Sequence, residues 1–184
     1  MNFHHDTRKA IEAASALLRF VPHRTMGRKR LLALLYLADR ESLTRNARPI
    51  IGGKLVAMKY GPIHSEVYNL IKGCHWDSQK WSEHFGNDAY RVVLSSDPGV
   101  SALSRYEVGI LNEISAKYAQ LDDWDVADVT HVFDEYIKSY VVDKSTVISA
   151  EVLIEAVGRG AEREEIIRDS EEKLYLDNLF AEKV

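Results

Sequence analysis

One stretch constrains this chain more than any other. From residue 31 to 38 it reads Leu-Leu-Ala-Leu-Leu-Tyr-Leu-Ala, and leucines at 31, 32, 34, 35 and 37 leave no polar side on a helix. A helix that is apolar all round must be covered from every direction, so the rest of the chain has to supply a shell. The pattern predicts a helix over about 27–45 as the buried axis of the fold. Arg28, Lys29 and Arg30 fall in its first turn, where the helix dipole disfavours cations.

The shell is legible in pieces. Asp6 or Thr7 caps a first helix carrying Ile11, Ala14, Leu18 and Val21 at helical spacing, and Pro22 ends it. Gly52-Gly53 marks a tight turn before a strand at Leu55–Tyr60, with Val56, Met58 and Tyr60 on one face. Gly61 breaks the strand, and Pro62 suits the first position of a following helix whose Ile63, Val67, Leu70 and Ile71 share a side, stopped by Gly73. Residues 74–89 read as loop and Tyr90–Leu94 as a second strand, which predicts a small antiparallel sheet pairing the two strands. Ser104 with Glu107 forms a capping box. Asp122 or Asp123 caps a shorter helix ending near Thr130-His131. Thr146–Ile148 is a short extended piece, and Ser149 opens another helix that Gly158 and Gly160 interrupt. Between Ala161 and Lys173 nine of thirteen residues are charged, so that segment is a solvated helix or a partly disordered arm. The expectation is a predominantly helical α+β domain over 1–157 with a small antiparallel sheet, followed by a charged helix or arm at 158–184.

The 184 residues, 46% of them hydrophobic, suffice for one core. No apolar run reaches 18 residues, which argues against a membrane partner, and the polar start lacks a signal peptide's apolar stretch; the chain reads as cytoplasmic. A single cysteine excludes an internal disulfide and any site of several thiolates. Seven histidines, at 4, 5, 23, 64, 75, 84 and 131, show no helical i, i+4 pair. There is no nucleophile elbow, phosphate loop or dinucleotide fingerprint. The expectation is therefore no catalytic residue, no metal and no cofactor.

Charge is unevenly distributed. Residues 1–60 hold twelve Lys/Arg against four Asp/Glu, whereas residues 61–184 hold twelve against twenty-four. Such halves either pair with each other or form two surfaces for two partners. Arg24, Arg28, Lys29 and Arg30 make a dense basic cluster between the first two helices, suited in principle to phosphate. The second helix is too apolar to present polar side chains to base edges, which disfavours sequence-specific DNA reading. Trp76, Trp81, Phe85 and Tyr90 are of the types enriched at interface hot spots, or else they cover a sheet edge.

Several blocks point to a known family. Arg30 to Arg40 resembles the Lys-Leu-Leu-Tyr-Phe-Ala helix of the Panacea-domain family, the SocA-like, phage-associated antitoxins. Arg48-Pro49-Ile50 is similar to that family's loop before its hairpin. Lys59-Tyr60-Gly61-Pro62 followed by Glu66-Val67-Tyr68 resembles its Lys-Tyr-Gly-Pro and Glu-Val-Tyr signature. Leu103-Ser104 with Glu107, Tyr118 and Thr130-His131 looks like its second block, and the likeness spans about 28–135. The chain departs just after Thr130-His131, where Val132-Phe133-Asp134-Glu135-Tyr136 replaces a tryptophan-containing segment. The resemblance implies an antitoxin that binds a cognate protein toxin directly, with an ATP-dependent protease as a further implied partner. On that reading Arg24, Arg28, Arg30, Lys59, Tyr60, Glu66, Trp76 and Trp81 are the candidate partner-binding residues. Tyr60, Gly61, Pro62, Glu66, Val67, Thr130 and His131 then form a signature that describes the fold.

Overall fold

The structure, a computed structural model, describes residues 1–181. Among them run nine α-helices: α1 (Thr7–Leu18), α2 (Arg28–Asn46), α3 (Ser65–Lys72), α4 (Ser78–Ser82), α5 (Arg105–Lys117), α6 (Asp123–Val129), α7 (Asp134–Ser139), α8 (Ala150–Ala156) and α9 (Arg163–Ala181). Six short strands join them: β1 (Thr25–Gly27), β2 (Leu55–Met58), β3 (Gly61–His64), β4 (Phe85–Asp88), β5 (Arg91–Leu94) and β6 (Thr146–Ile148). The architecture is α+β and mostly helical, as the sequence implies.

Helix α2 is the axis. Every residue from Leu31 to Asp39 is buried, and α1, α5, α6 and β3 cover it. Local capping fixes the shell. Asp6 accepts from Lys9 N, Ser104 and Glu107 form both halves of a capping box, Asp122 accepts from Trp124 N and Asp125 N, and Ser149 accepts from Val152 N. Gly73, at φ 74°, closes α3 with a left-handed residue.

The sheets differ from the expectation. The strands at 55–58 and 91–94 do not pair with each other. Each belongs to its own antiparallel three-stranded sheet, in the orders β3-β2-β6 and β1-β5-β4. Each hairpin recruits a third strand from far along the chain: Val56 faces Val147, and Val92 faces Met26. Strand β2 stops at Met58, with Leu55 and Ala57 inward, so Val56 and Met58 lie on its outer face. Pro62 does not open a helix. Residues 61–64 stay extended because they pair with β2 and because His64 turns inward to a buried carboxylate; α3 begins at Ser65. The segment 74–89 is not loop throughout, since α4 and β4 lie within it. Trp81 stacks on Phe85 at a centroid distance of 4.1 Å and is 3% exposed.

The charged C-terminal segment is a helix docked on the body. Ile166 is buried, Arg48 pairs with Asp169 at 3.1 Å, Lys173 with Asp6 at 3.5 Å, and His4 Nε2 lies 3.1 Å from Asp177. Residues 182–184 of the anticipated arm lie outside the described residues. The N-terminal segment crosses the Gly52-Gly53 turn: Gly53 N donates to Phe3 O, and Asp6 N donates to Ile51 O. A Cβ at Gly52 would collide with the His4 carbonyl, which explains a glycine there.

Candidate partner-binding surface

The signature residues are accounted for by packing. Gly61 has φ 112°, and a Cβ on it would lie 2.5 Å from Thr130 Oγ1, whose hydroxyl donates to Ala127 O at 2.6 Å. His131 stacks on Tyr136 and Tyr136 on Tyr140, while the Tyr136 hydroxyl donates to Met58 O at 2.8 Å. Glu135, fully buried, accepts from the Tyr36 hydroxyl and from Arg40 Nε at 2.7 Å. Burial and the adjacent carboxylate hold the Tyr36 phenol well above its ordinary pKa, so it remains a donor. The leucine-rich helix and the segment 130–136 thus lock together although about a hundred residues apart.

A second buried carboxylate organises the other side of α2. Asp39 is 3% exposed and accepts from Ile50 N, Ile51 N and Gly52 N at 2.8–2.9 Å, with His64 Nε2 also 2.9 Å away. Glu66 accepts from Lys54 N with both oxygens at 3.0 Å. Both carboxylates therefore serve the turn before β2, which accounts for Glu66 without a partner. Nearby, burial drives the His5 imidazole down to about 4, keeping it neutral. No group of three or more His, Cys, Asp or Glu among the described residues is placed to hold a metal ion.

Most of the charge asymmetry is absorbed internally. Of the cations in residues 1–60, Lys9 pairs with Glu107, Arg19 with Asp97, Arg40 with Glu135, Arg45 with Glu113 and Arg48 with Asp169. Arg30 is spent too: its guanidinium donates to the Leu121 carbonyl and, at 2.8 Å, to Tyr118 O, capping the end of α5, with Asp123 4.0 Å away. Among the described residues, the Lys and Arg side chains with no carboxylate within 4.0 Å are Arg24, Arg28, Lys29, Lys54, Lys59, Lys72, Arg91, Arg105, Lys117, Lys144 and Arg168.

Six of them, Arg24, Arg28, Lys29, Lys59, Lys72 and Arg91, lie together, interleaved with aromatic rings. Arg28 stands over Tyr68 at 5.8 Å and Tyr90 at 5.9 Å, and Lys72 shares Tyr68. Lys29 Nζ lies 3.7 Å from the Tyr60 centroid and 3.4 Å from that of Trp124, two rings set edge to face at 5.5 Å. Lys59 shares Tyr60, Arg91 faces Gly27 across the β1–β5 ladder, and Arg24 sits just before β1. Tyr60, Tyr90 and Trp124 are exposed. Strands, hairpin tip and α6 converge here because α2 must be covered, and its charged first turn emerges between them.

Of the anticipated partner-binding residues, the structure brings Arg24, Arg28, Lys59 and Tyr60 onto this surface. Arg30 and Glu66 make intramolecular bonds instead, and Trp81 is a core residue, corrected from a surface position by its stack on Phe85. Trp76 is 86% exposed but belongs elsewhere, against His75, which in turn faces His5. Lys29, Tyr68 and Trp124 join the surface without having been singled out for it. The available signal was weak: Lys29 sat inside the recognised basic cluster, and Trp124 beside a helix cap.

The fold thus defines a helix-rich α+β domain built round one buried helix, carrying a cationic and aromatic face. Residues 31–135, more than half of the chain, match the family described as Antitoxin SocA-like, Panacea domain, and the chain belongs to that family. No curated protein and no solved structure matches it. No helix among the described residues is long and apolar enough to cross a membrane.

Proposed function

We propose that this protein is the antitoxin of a toxin–antitoxin system and neutralises a cognate protein toxin by direct binding. Membership of an antitoxin-like family supports the antitoxin role. The observation that carries direct binding is the face of unpaired cations set among exposed Tyr60, Tyr90 and Trp124. Arginine, tyrosine and tryptophan are the residues that dominate interface energetics, and unpaired cations speed the approach of an oppositely charged partner. The family resemblance further implies delivery of the captured toxin to an ATP-dependent protease.

A nucleic-acid role for the basic region is the second reading. The exposed Asp122, Asp125 and Asp128 on and beside α6, next to Trp124, count against it, since a phosphate backbone would run past like charge. The test is a pull-down from the native host at moderate salt with this chain as bait. The expected result is one stoichiometric small protein, encoded beside it and toxic when expressed alone, whose toxicity co-expression abolishes. Recovery of nucleic acid, or failure of co-expression to restore growth, would overturn the reading.

A further inference from the structure

We infer that the face around Lys29 receives an acidic segment of a protein partner, its carboxylates on Lys29 and Arg28 and its apolar side chains against Tyr60 and Trp124. That the partner is a toxin rests on the antitoxin reading; the chemistry of the segment stands on the geometry. Within residues 1–60 seven of the twelve cations pair with an acid of the chain, and four of the other five, Arg24, Arg28, Lys29 and Lys59, gather at one place. Their gathering among exposed aromatic rings, and not the lack of a partner alone, marks this group as a place for an anion from outside.

Lys29 is the anchor. Its ammonium touches the faces of two rings, 3.4 and 3.7 Å from their centroids, without a carboxylate within 4.0 Å. The rings restrain a side chain that would otherwise sample many rotamers, and they strip part of its water, but they supply no carboxylate to pair with it. A carboxylate arriving there meets a cation already positioned, so less entropy remains to be lost on binding. Arg28, held between Tyr68 and Tyr90, is prepared in the same way.

The surroundings select a protein segment over a polyanion. Asp125 and Asp128 lie exposed on α6, and Asp88 on the hairpin beside Tyr90. A nucleic-acid strand has evenly spaced charges and would have to pass these carboxylates. A peptide can place a few acids on Lys29 and Arg28 and put uncharged or basic residues opposite the aspartates. The exposed rings then take its apolar side chains.

The test uses three fluorescein-labelled probes on the full chain: a short peptide with several Asp and Glu around a Leu-Phe pair, its twin with Asn and Gln in place of the acids, and a single-stranded oligothymidylate of matched charge. The acidic peptide is expected to bind about tenfold more tightly than its amide twin, with affinity falling as salt rises. Lys29→Met is expected to remove most of that preference, and Lys117→Met, on α5, to leave it intact. Trp124→Leu keeps the charge and removes one wall, so it should weaken the acidic peptide by roughly threefold while circular dichroism reports an intact fold. Equal binding of the two peptides, tighter binding of the oligothymidylate, or indifference to both Lys29→Met and Trp124→Leu would overturn the inference. Growth rescue by co-expression tests the antitoxin reading independently, because the peptide comparison contains no toxin.

Discussion

Asp39 offers the sharpest test of how the fold is held. Its carboxylate lies beneath the turn at residues 50–52 and is the hydrogen-bond partner of three backbone N–H groups and of the His64 ring, all at 2.8–2.9 Å. Asp39, Ile50, Ile51 and His64 are each at most 3% exposed. Asp39→Ala removes every acceptor at once and leaves the N–H groups buried. Each unsatisfied buried donor costs about 1–3 kcal/mol, and water entering the vacated space recovers part of that. A net loss of roughly 4–5 kcal/mol follows, a large share of the 5–15 kcal/mol that typically holds a domain together. Asp39→Asn keeps one acceptor oxygen but turns an NH2 toward donors, so it should cost less, about 2–3 kcal/mol. Urea unfolding followed by circular dichroism measures both, with the slope of the transition unchanged. A loss below about 1 kcal/mol for Asp39→Ala would refute the assignment of this carboxylate as the organiser of the turn.

Other expectations follow from the same structure. Gly61→Ala should destabilise by about 2–4 kcal/mol, because φ 112° is closed to alanine and its Cβ would press on Thr130; thermal unfolding measures it, and an unchanged midpoint would contradict the packing described. Trp81→Ala should cost roughly 3–5 kcal/mol as a core truncation, whereas Trp76→Ala should leave the melting temperature nearly unmoved. His5 binds its proton less readily when folded, near 4 against the ordinary 6.5, so stability should be complete above pH 6.5 and decline as pH falls toward 4. His5→Leu should flatten that decline, and a profile equally steep in the variant would sink the idea. The hydrogen bonds from Arg19 hold the Asp97 carboxyl below the usual carboxylate range, so its contribution is present above the ordinary carboxylate pKa and is lost as pH falls below it; Asp97→Asn should blunt the acid limb of the unfolding profile.

What could be read in the chain before its structure follows from the range of each interaction. Helix caps at Asp6, Ser104, Asp122 and Ser149 involve residues two or three apart, so the sequence carries them openly. The buried axis was equally plain, because five leucines within seven residues have no alternative. Sheet partnership was not, since β6 and β1 join their hairpins across long separations that no local pattern records. Pro62 misled for a related reason: its fixed φ serves a helix start and an edge strand alike, and only the distant pairing of His64 with Asp39 decides between them. The basic cluster at 24–30 was visible as composition. That Arg30 would be consumed by the end of α5 while Lys29 stood free between two rings depends on where α5 and α6 pack. Trp81 and Trp76, five residues apart, looked alike and ended in the core and in solvent.

The order β3-β2-β6 also has a consequence in time. The hairpin of residues 55–64 can form as soon as it leaves the ribosome, but the strand that flanks its other side begins only at Thr146. At about 5–20 residues per second, roughly 4–17 s of synthesis separate the two. Throughout that interval the outer edge of β2 presents unpaired backbone groups, the kind of edge on which other strands assemble. The nascent chain therefore passes through a stage in which one of its sheets is open to strangers, and only the arrival of residues 146–148 closes it.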